Sequence, residues 1–224
     1  MKKIIRGVQG FRSGVFAEQQ ELFERLANSQ TPDALFITCS DSRVNPNLIT
    51  QTDPGELFIL RNAGNIIPPH GSCQGGEAAT VEYAVAALGV KDIIVCGHSG
   101  CGAVSALLNP ESTANLPAVR EWLGYGESTR RVMQDVYANV NQPTERLNIA
   151  IQENVLAQLV NLRTLPVVAA GLIKGELHLH GWVYKIETGE VFTYDPRQGQ
   201  FTPLTENLAQ SGSRRKLDRA AIPI

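Results

Sequence analysis

Short apolar runs rich in strand-forming residues recur along this chain, and polar turn residues bound each of them. Three such runs, at residues 34–39, 57–60 and 92–96, have the pattern of buried parallel strands. Later in the chain, residues 178–186 and 191–195 flank a polar turn. This last pattern predicts a further strand with an antiparallel partner.

Between the strands, apolar residues return at helical spacing. Residues 8–27 predict an amphipathic N-terminal helix region, and residues 77–89 predict a buried helix whose C-cap is Gly89. The pattern between 117 and 165 is helical again, and residues 145–162 form one long predicted helix. We interpret its apolar stripe as helix core; the stripe is Leu147, Ile151, Val155 and Leu159.

Strands that alternate with helices predict an α/β fold with a mostly parallel sheet covered on both faces. We expect a single domain over residues 1–224. It comprises an N-terminal helical arm over residues 1–30, a C-terminal antiparallel strand and a mobile tail over residues 202–224. Because such sheets place chemistry at the carboxyl ends of their strands, we look for functional residues there.

Composition narrows the function by exclusion. The chain is 43% hydrophobic and 19% charged with a net charge of -2, so it has no basic footprint for nucleic acid or a membrane surface. Arg6 and Arg12 interrupt the N-terminal apolar residues, which argues against a signal peptide. We therefore expect a cytoplasmic protein. With four cysteines and no export signal, we expect metal binding or catalysis in place of disulfides, and a reducing compartment; the cysteines are Cys39, Cys73, Cys96 and Cys101.

Two loops that leave buried strands carry candidate ligands, CSDSR at 39–43 and GHSGCG at 97–102. Cys39, His98 and Cys101 supply two thiolates and one imidazole. Three protein ligands with an open fourth position are typical of catalytic zinc, so we predict one Zn²⁺ per chain. A buried cysteine outside such a set is usually a small hydrophobic residue, and we interpret Cys96 and Cys73 in this way.

Asp41 and Arg43 stand beside the first predicted ligand. Two thiolates cancel the charge of Zn²⁺, so another group must favour a metal-bound hydroxide. The Asp41 carboxylate could accept a hydrogen bond from that hydroxide, while a bidentate Arg43 would keep the carboxylate ionised and away from the metal. Two alternatives stay open: Asp41 as a fourth ligand of a structural zinc, or an ordinary loop salt bridge.

The two motifs, together with RNAGN at 61–65 and LHGW at 179–182, resemble the β-class carbonic anhydrases, with the plant and cyanobacterial type of active site. The resemblance implies zinc-dependent reversible hydration of CO2 to bicarbonate and a proton by metal-bound hydroxide. It also implies a doubly wound sheet and a homodimer or higher even-numbered homo-oligomer, with the apolar face of the helix over 8–27 as the exchanged surface. The substrate-binding residues that it implies are Gln30, Phe58, Tyr83 and Gly102.

Other functions fit parts of the same sequence. The scaffold could hydrolyse CS2 or COS instead, or could be a catalytically silent protein that zinc stabilises. A cysteine phosphatase with Cys39 as nucleophile ranks last, because the spacer to Arg43 is too short for a phosphate-cradling loop. His178 and His180 share a strand face, and we interpret them as hydrogen-bonding residues, not metal ligands.

Overall fold

The computed structural model describes residues 1–72 and 75–205 of the chain. Cys73, which we interpreted as a small hydrophobic residue, lies outside this part, as do residues 206–224 of the predicted tail. Within the described residues the chain forms ten α-helices and six β-strands.

The bounds of these elements follow chain order. The helices are α1 (Lys2–Ser13), α2 (Val15–Glu18), α3 (Gln20–Leu26), α4 (Pro46–Thr50), α5 (Gly76–Glu82), α6 (Gly102–Leu108), α7 (Pro117–Leu123), α8 (Glu127–Asp135), α9 (Pro143–Thr164) and α10 (Pro166–Lys174). The strands are β1 (Ala34–Cys39), β2 (Leu57–Asn62), β3 (Asp92–His98), β4 (His178–Tyr184), β5 (Val191–Asp195) and β6 (Gln200–Pro203). Short 3-10 turns cover Ala63–Asn65, Pro110–Thr113 and Gly124–Gly126, and a π-helical turn, Tyr83–Ala87, extends α5.

All six strands belong to one sheet, in the order β2-β1-β3-β4-β5-β6. The first four strands are parallel, and β5 and β6 run antiparallel to their neighbours. The mostly parallel α/β fold is therefore confirmed, and β1 has the predicted bounds. We did not predict β6, which reaches Pro203 and so includes the first residues of the predicted tail. The sequence pattern of β6 is too weak to predict a strand. Pairing with β5 and the contact between the Phe201 and Tyr194 rings hold this segment in the sheet.

β1 is an interior strand of the sheet and lies between β2 and β3. All six of its residues are buried. Leu35 and Ile37 belong to the large core cluster on the side of α9, while Phe36 belongs to a second cluster on the other side, where its ring meets Trp182. A strand that is buried on both sides reads as one continuous apolar run, which is why the sequence revealed it.

The long helix α9 lies directly on β3 and β4. Its predicted stripe is confirmed as core, since Ile151 and Val155 are buried and Leu147 and Leu159 pack against them. Glycine permits this approach: a Cβ built on Gly97 would lie 2.9 Å from Val155 Cγ2. At Gly97 the helix therefore lies closer to the sheet than a side chain at that position would allow.

The N-terminal arm differs from the prediction of one amphipathic region over residues 8–27. Helix begins earlier, at Lys2, and it breaks at Gly14 and Gln19 because both residues have non-helical backbone angles. The rings of three phenylalanines pack together across the breaks; they are Phe11, Phe16 and Phe23. Other apolar residues of the arm stay exposed, among them Ile4, Ile5, Val8 and Val15.

The short helices α4, α6 and α10 were not predicted, because each is too brief to show a clear helical period. α10 follows α9 after a bend of 89°. Across the described residues, no single helix has the length and apolar character needed to cross a membrane; only this bent pair does, by length and composition alone.

The contact between Gly97 and α9 leads to a first prediction. Gly97→Ala should destabilise the fold by about 1–3 kcal/mol, because the added methyl group meets Val155 and forces the layers apart. Urea denaturation at one fixed protein concentration measures this loss. In a Val155→Ala background the same substitution should cost clearly less.

Gly124→Ala is the matched control, since a Cβ at Gly124 would meet nothing within 4 Å and its backbone is helical. The control should be neutral or slightly stabilising. Equal losses for Gly97→Ala and Gly124→Ala would contradict the packing argument.

Candidate metal centre

The strand order brings the three predicted ligands to one place. Cys39 is the last residue of β1 and His98 is the last residue of β3, and these strands are parallel neighbours. Cys101 follows three residues after His98, directly before α6. Because the carboxyl ends of parallel neighbours share one edge of the sheet, the side chains converge there.

The ligand atoms of Cys39, His98 and Cys101 all lie within 4.8 Å of one another, and the three residues are buried. The two sulfur atoms are 3.9 Å apart. His98 Nδ1 lies 3.0 Å from the carbonyl oxygen of Ser99, which fixes a tautomer with its proton on Nδ1. The other ring nitrogen, Nε2, is then unprotonated and carries a lone pair. Among the described residues it has no hydrogen-bond partner.

The contact between the two sulfurs moves their pKa values in opposite directions. The contact with Cys101 and further hydrogen bonds lower the pKa of the Cys39 thiol to about 4, against the effect of burial. The same contact and burial raise the pKa of Cys101 well above its ordinary value. One sulfur is thus held as thiolate by the proton of the other.

These donors fit Zn²⁺. Two cysteine sulfurs and one imidazole nitrogen are ligands that zinc prefers, and a dication would remove the repulsion between two adjacent thiolates. The orphaned Nε2 of His98 has the lone pair that a metal ligand needs. The described residues therefore contain a Cys-His-Cys group that could hold a metal ion, as the sequence predicted.

Asp41 and Arg43 form the predicted bidentate pair. Arg43 Nε donates to Asp41 Oδ1 at 2.9 Å and Nη2 donates to Oδ2 at 2.7 Å. These bonds and that from the Arg43 backbone hold the pKa of the Asp41 carboxyl well below its usual range. Asp41 Oδ2 is 3.9 Å from His98 Nε2, so an ionised carboxylate borders the cluster while its oxygens are bonded to Arg43.

Arg61 supports the same loop, a role that we missed although RNAGN was among the recognised motifs. Its Nε donates to the carbonyl oxygen of Cys39 at 3.0 Å, and its Nη2 donates to that of Asp41 at 2.7 Å. One guanidinium thus fixes the backbone on both sides of Ser40. The available signal was an arginine at the end of the strand beside β1.

A polar ladder on α9 holds the segment that follows β2. Asn154 Nδ2 donates to the carbonyl oxygen of Gly64 at 2.9 Å, and Gln158 Oε1 accepts from the N–H of Ile67 at 2.9 Å. Asn161 Nδ2 donates to the carbonyl oxygen of Ile67. We missed this ladder, yet polar residues at spacings of four and three inside an apolar helix were a readable signal.

The ladder matters for the metal centre because Gly64 touches it. The Gly64 N–H donates to Cys39 Sγ at 3.4 Å and helps to lower the pKa of that thiol. Gly64 has a positive φ of 81°, which side chains rarely adopt, and a Cβ there would lie 3.1 Å from the Cβ of Ala103. Glycine is therefore required for the backbone to approach the sulfur.

Of the four predicted pocket residues, only Gly102 adjoins this cluster within one chain, and the other three lie away from it. The rings of Phe58 and Tyr83 pack together, with centroids 6.0 Å apart, but Phe58 pairs with Leu35 at the amino end of β1. Four strand residues, about 13 Å, separate that position from the level of Cys39. Gln30 is exposed and precedes β1 at the same amino end, whereas Gly102 directly follows Cys101.

The remaining candidates have structural roles. His180 Nε2 lies 2.7 Å from Asp92 Oδ1, which confirms a hydrogen bond for His180. His178 Nδ1 lies 3.6 Å from the same oxygen, so it faces this carboxylate as a long ion pair and not as a hydrogen bond. Hydrogen bonding to His180 lowers the pKa of Asp92. Cys96 is fully buried, and burial raises its thiol pKa to about 12, so its interpretation as a small hydrophobic residue is confirmed.

Comparison with known proteins agrees with this geometry. The family model for carbonic anhydrase matches residues 34–191. The chain is 51% identical over 196 residues to a carbonic anhydrase of a Synechocystis species, covering 87% of this chain and 71% of that protein.

Solved structures show the same likeness. The β-carbonic anhydrase CcaA matches with a TM-score of 0.90 and 49% identity over 92% of each chain. One of two tetrameric β-carbonic anhydrases from Sordaria macrospora matches with a TM-score of 0.77 and 28% identity, over 90% of this chain and 98% of the other. The chain therefore belongs to the carbonic anhydrase family, within its β class of lyases.

Proposed function

We propose that this protein catalyses the reversible hydration of CO2 to bicarbonate and a proton, with one zinc ion per chain. The observation that carries the proposal is the buried group of Cys39, His98 and Cys101, whose ligand atoms lie within 4.8 Å of one another. Membership of the carbonic anhydrase family supports it. Bound zinc supplies a Lewis acid that makes a water molecule nucleophilic near neutral pH.

Asp41 orients the attacking water in this proposal. Its carboxylate stays ionised because Arg43 bonds both of its oxygens, so it can only accept hydrogen bonds. Arg43 Nη2 also donates to the carbonyl oxygen of Gly100 at 3.1 Å, which ties the pair to the loop that carries Cys101. A fixed acceptor beside the cluster directs one O–H of the water away from CO2 and a lone pair toward it.

Arg43 has a second duty, which is to hold Asp41 off the metal position. A carboxylate is an adequate zinc ligand, and it would close the fourth position if it were free to rotate. A bidentate guanidinium opposes that rotation more strongly than a single ammonium group does. The proposed active state therefore depends on the pair and not on Asp41 alone.

A second copy of the chain completes the substrate pocket in this proposal. Gln30, Phe58 and Tyr83 are too far from their own chain's cluster, and Tyr83 is 51% exposed. The helical arm also leaves apolar residues exposed, a surface suited to a second copy. We propose a homodimer or higher even-numbered oligomer, and the tetrameric Sordaria relatives are consistent with one.

In the assembled pocket, the Gln30 amide would bind an oxygen of bicarbonate, and the Phe58 and Tyr83 rings would give CO2 an apolar surface.

We place the enzyme in the cytoplasm, where the free thiols of its described cysteines would stay reduced; these are Cys39, Cys96 and Cys101.

Metal analysis tests the first part of the proposal. The purified protein should contain about one zinc per chain and hydrate CO2 in stopped-flow assays. Cys39→Ala should lose both, because an alanine cannot replace the thiolate ligand. Cys96→Ala is the matched control: it removes a buried cysteine outside the cluster and should keep the metal.

The same preparations should be assayed with CS2 and COS. Zinc at full occupancy with turnover of these sulfur compounds, and none of CO2, would replace the hydration proposal with the alternative substrate. Zinc without turnover of any of the three would indicate a structural metal.

Asp41→Asn should lower kcat by about 10²-fold or more while zinc content stays unchanged, since the variant loses a charged acceptor but no metal ligand. Asp135→Asn is the control, because Asp135 forms a surface ion pair with Arg131. The control should leave kcat unchanged. An Asp41→Asn enzyme with full zinc and full activity would contradict the role of the pair.

Mixed oligomers test whether the pocket is shared between copies. Gln30→Ala alone should lower kcat/KM by about tenfold, the value of one hydrogen bond. Differently tagged Gln30→Ala and Cys39→Ala chains are co-expressed, and the mixed species is purified. In this species the Gln30→Ala chain supplies intact zinc ligands, and the Cys39→Ala chain supplies an intact Gln30. Activity per zinc should therefore return to the wild-type level.

Co-expression of Asp41→Asn with Cys39→Ala serves as the control, since both residues act within one chain and no site is complete. This mixture should show no recovery. If the Gln30→Ala mixture also stays tenfold impaired per zinc, the pocket is formed within one chain and the shared-site proposal is wrong.

A further inference from the structure

One peptide group links the side chain of Trp122 to the sulfur of Cys39 in the Cys-His-Cys group. Trp122 Nε1 donates a hydrogen bond of 2.7 Å to the carbonyl oxygen of Ala63. The N–H of that same peptide group belongs to Gly64, and it donates to Cys39 Sγ at 3.4 Å. Carbonyl and N–H of an amide are conjugated, so a hydrogen bond to the oxygen makes the N–H a stronger donor.

We propose that Trp122 is a positioning residue for the metal centre, which acts on the Cys39 sulfur through the Ala63–Gly64 peptide group. The inference rests on the proposed zinc site. Trp122 fixes the plane of the amide and polarises it, so that the N–H points at the sulfur and withdraws electron density from it. A hydrogen-bonded thiolate donates less charge to a metal, which leaves the metal more acidic.

The surroundings of Trp122 suit this role. Its ring is half-buried and packs edge-on against Tyr125, with centroids 5.7 Å apart. It also belongs to a cluster with the buried side chains of Ile66 and Leu107, which fixes the indole relative to the loop. Trp122 therefore reaches Ala63 from a rigid position.

The loop is held independently on its other side. Asn154 Nδ2 binds the carbonyl oxygen of Gly64, which belongs to the next peptide group. Asn62 Oδ1 and Nδ2 also bond the N–H and carbonyl of Ile66, each at 2.8 Å. Loss of the Trp122 bond should therefore release one amide and leave the loop in place. Because other hydrogen bonds hold the loop, the effect of Trp122 on the Cys39 sulfur can be tested without unfolding the loop.

The test removes the indole N–H and follows the sulfur–metal bond. Two variants are compared with the parent: Trp122→Phe, and a protein in which benzothienylalanine, an isostere with sulfur in place of the N–H, occupies position 122. Each is loaded with cobalt(II), and the thiolate-to-cobalt charge-transfer band is recorded. Zinc affinity is measured by competition with a chelator.

Both variants should shift the charge-transfer band to longer wavelength, because a sulfur with a weaker hydrogen bond gives up charge more easily. Zinc affinity should fall by about tenfold, because the released amide no longer holds the Cys39 sulfur in place for the metal, and this loss outweighs the stronger donation by the sulfur. The isostere keeps the size of the indole, so a shift common to both variants reports the N–H and not the packing.

Trp182→Phe is the matched control, because Trp182 packs against Phe36 in the cluster on the other side of the sheet from α9. It should leave the band and the zinc affinity unchanged. An unshifted band in the isosteric protein would overturn the inference and reduce Trp122 to a packing residue. A parent protein without any thiolate-to-cobalt band would instead refute the proposed zinc site itself, and the inference with it.

Discussion

Two sulfur atoms and one imidazole nitrogen are held within 4.8 Å of one another in a buried position. Hydrogen bonds from Arg43, Arg61 and the turn at Gly64 hold the segments that carry them. Burial disfavours two adjacent thiolates, so without a cation one of the sulfurs must keep its proton. The opposite pKa directions of Cys39 and Cys101 express this conflict. A bound dication would resolve it, because it would neutralise both thiolates at once.

The position of the cluster follows from the sheet, but its chemistry depends on irregular backbone. β1 and β3 deliver Cys39 and His98 to one edge, as parallel neighbours must. A hydrogen-bond donor aimed at the sulfur cannot come from those strands, whose N–H groups are paired in the sheet. The turn at Gly64 supplies it, and because that turn makes no strand ladder, side chains such as Asn154 and Gln158 must satisfy its polar groups.

The sequence revealed the features that depend on local pattern. The bounds of β1, the long helix α9 and the three ligand residues followed from apolar runs, helical spacing and ligand chemistry. The roles of Arg61 and Trp122 could not be read this way, since each acts on a residue distant in the chain through a backbone carbonyl. Such contacts depend on how distant parts of the chain fold together. Even for Arg61, which lies in the motif RNAGN, the sequence does not show which carbonyl groups it binds.

The N-terminal arm and the predicted pocket residues show a second limit of prediction from sequence, because these residues lie at the surface and not in the core. Gly14 and Gln19 interrupt the N-terminal helices although the apolar spacing continues across them, so periodicity predicted one region where the backbone forms three. Gln30 and Phe58 matched the family's pocket by sequence, yet the parallel register puts them at the wrong end of their own sheet. A motif identifies which residues act together without saying that one chain supplies them all. Two constraints, the exposed apolar arm and an active site short of its pocket, are met at once if a second copy covers both.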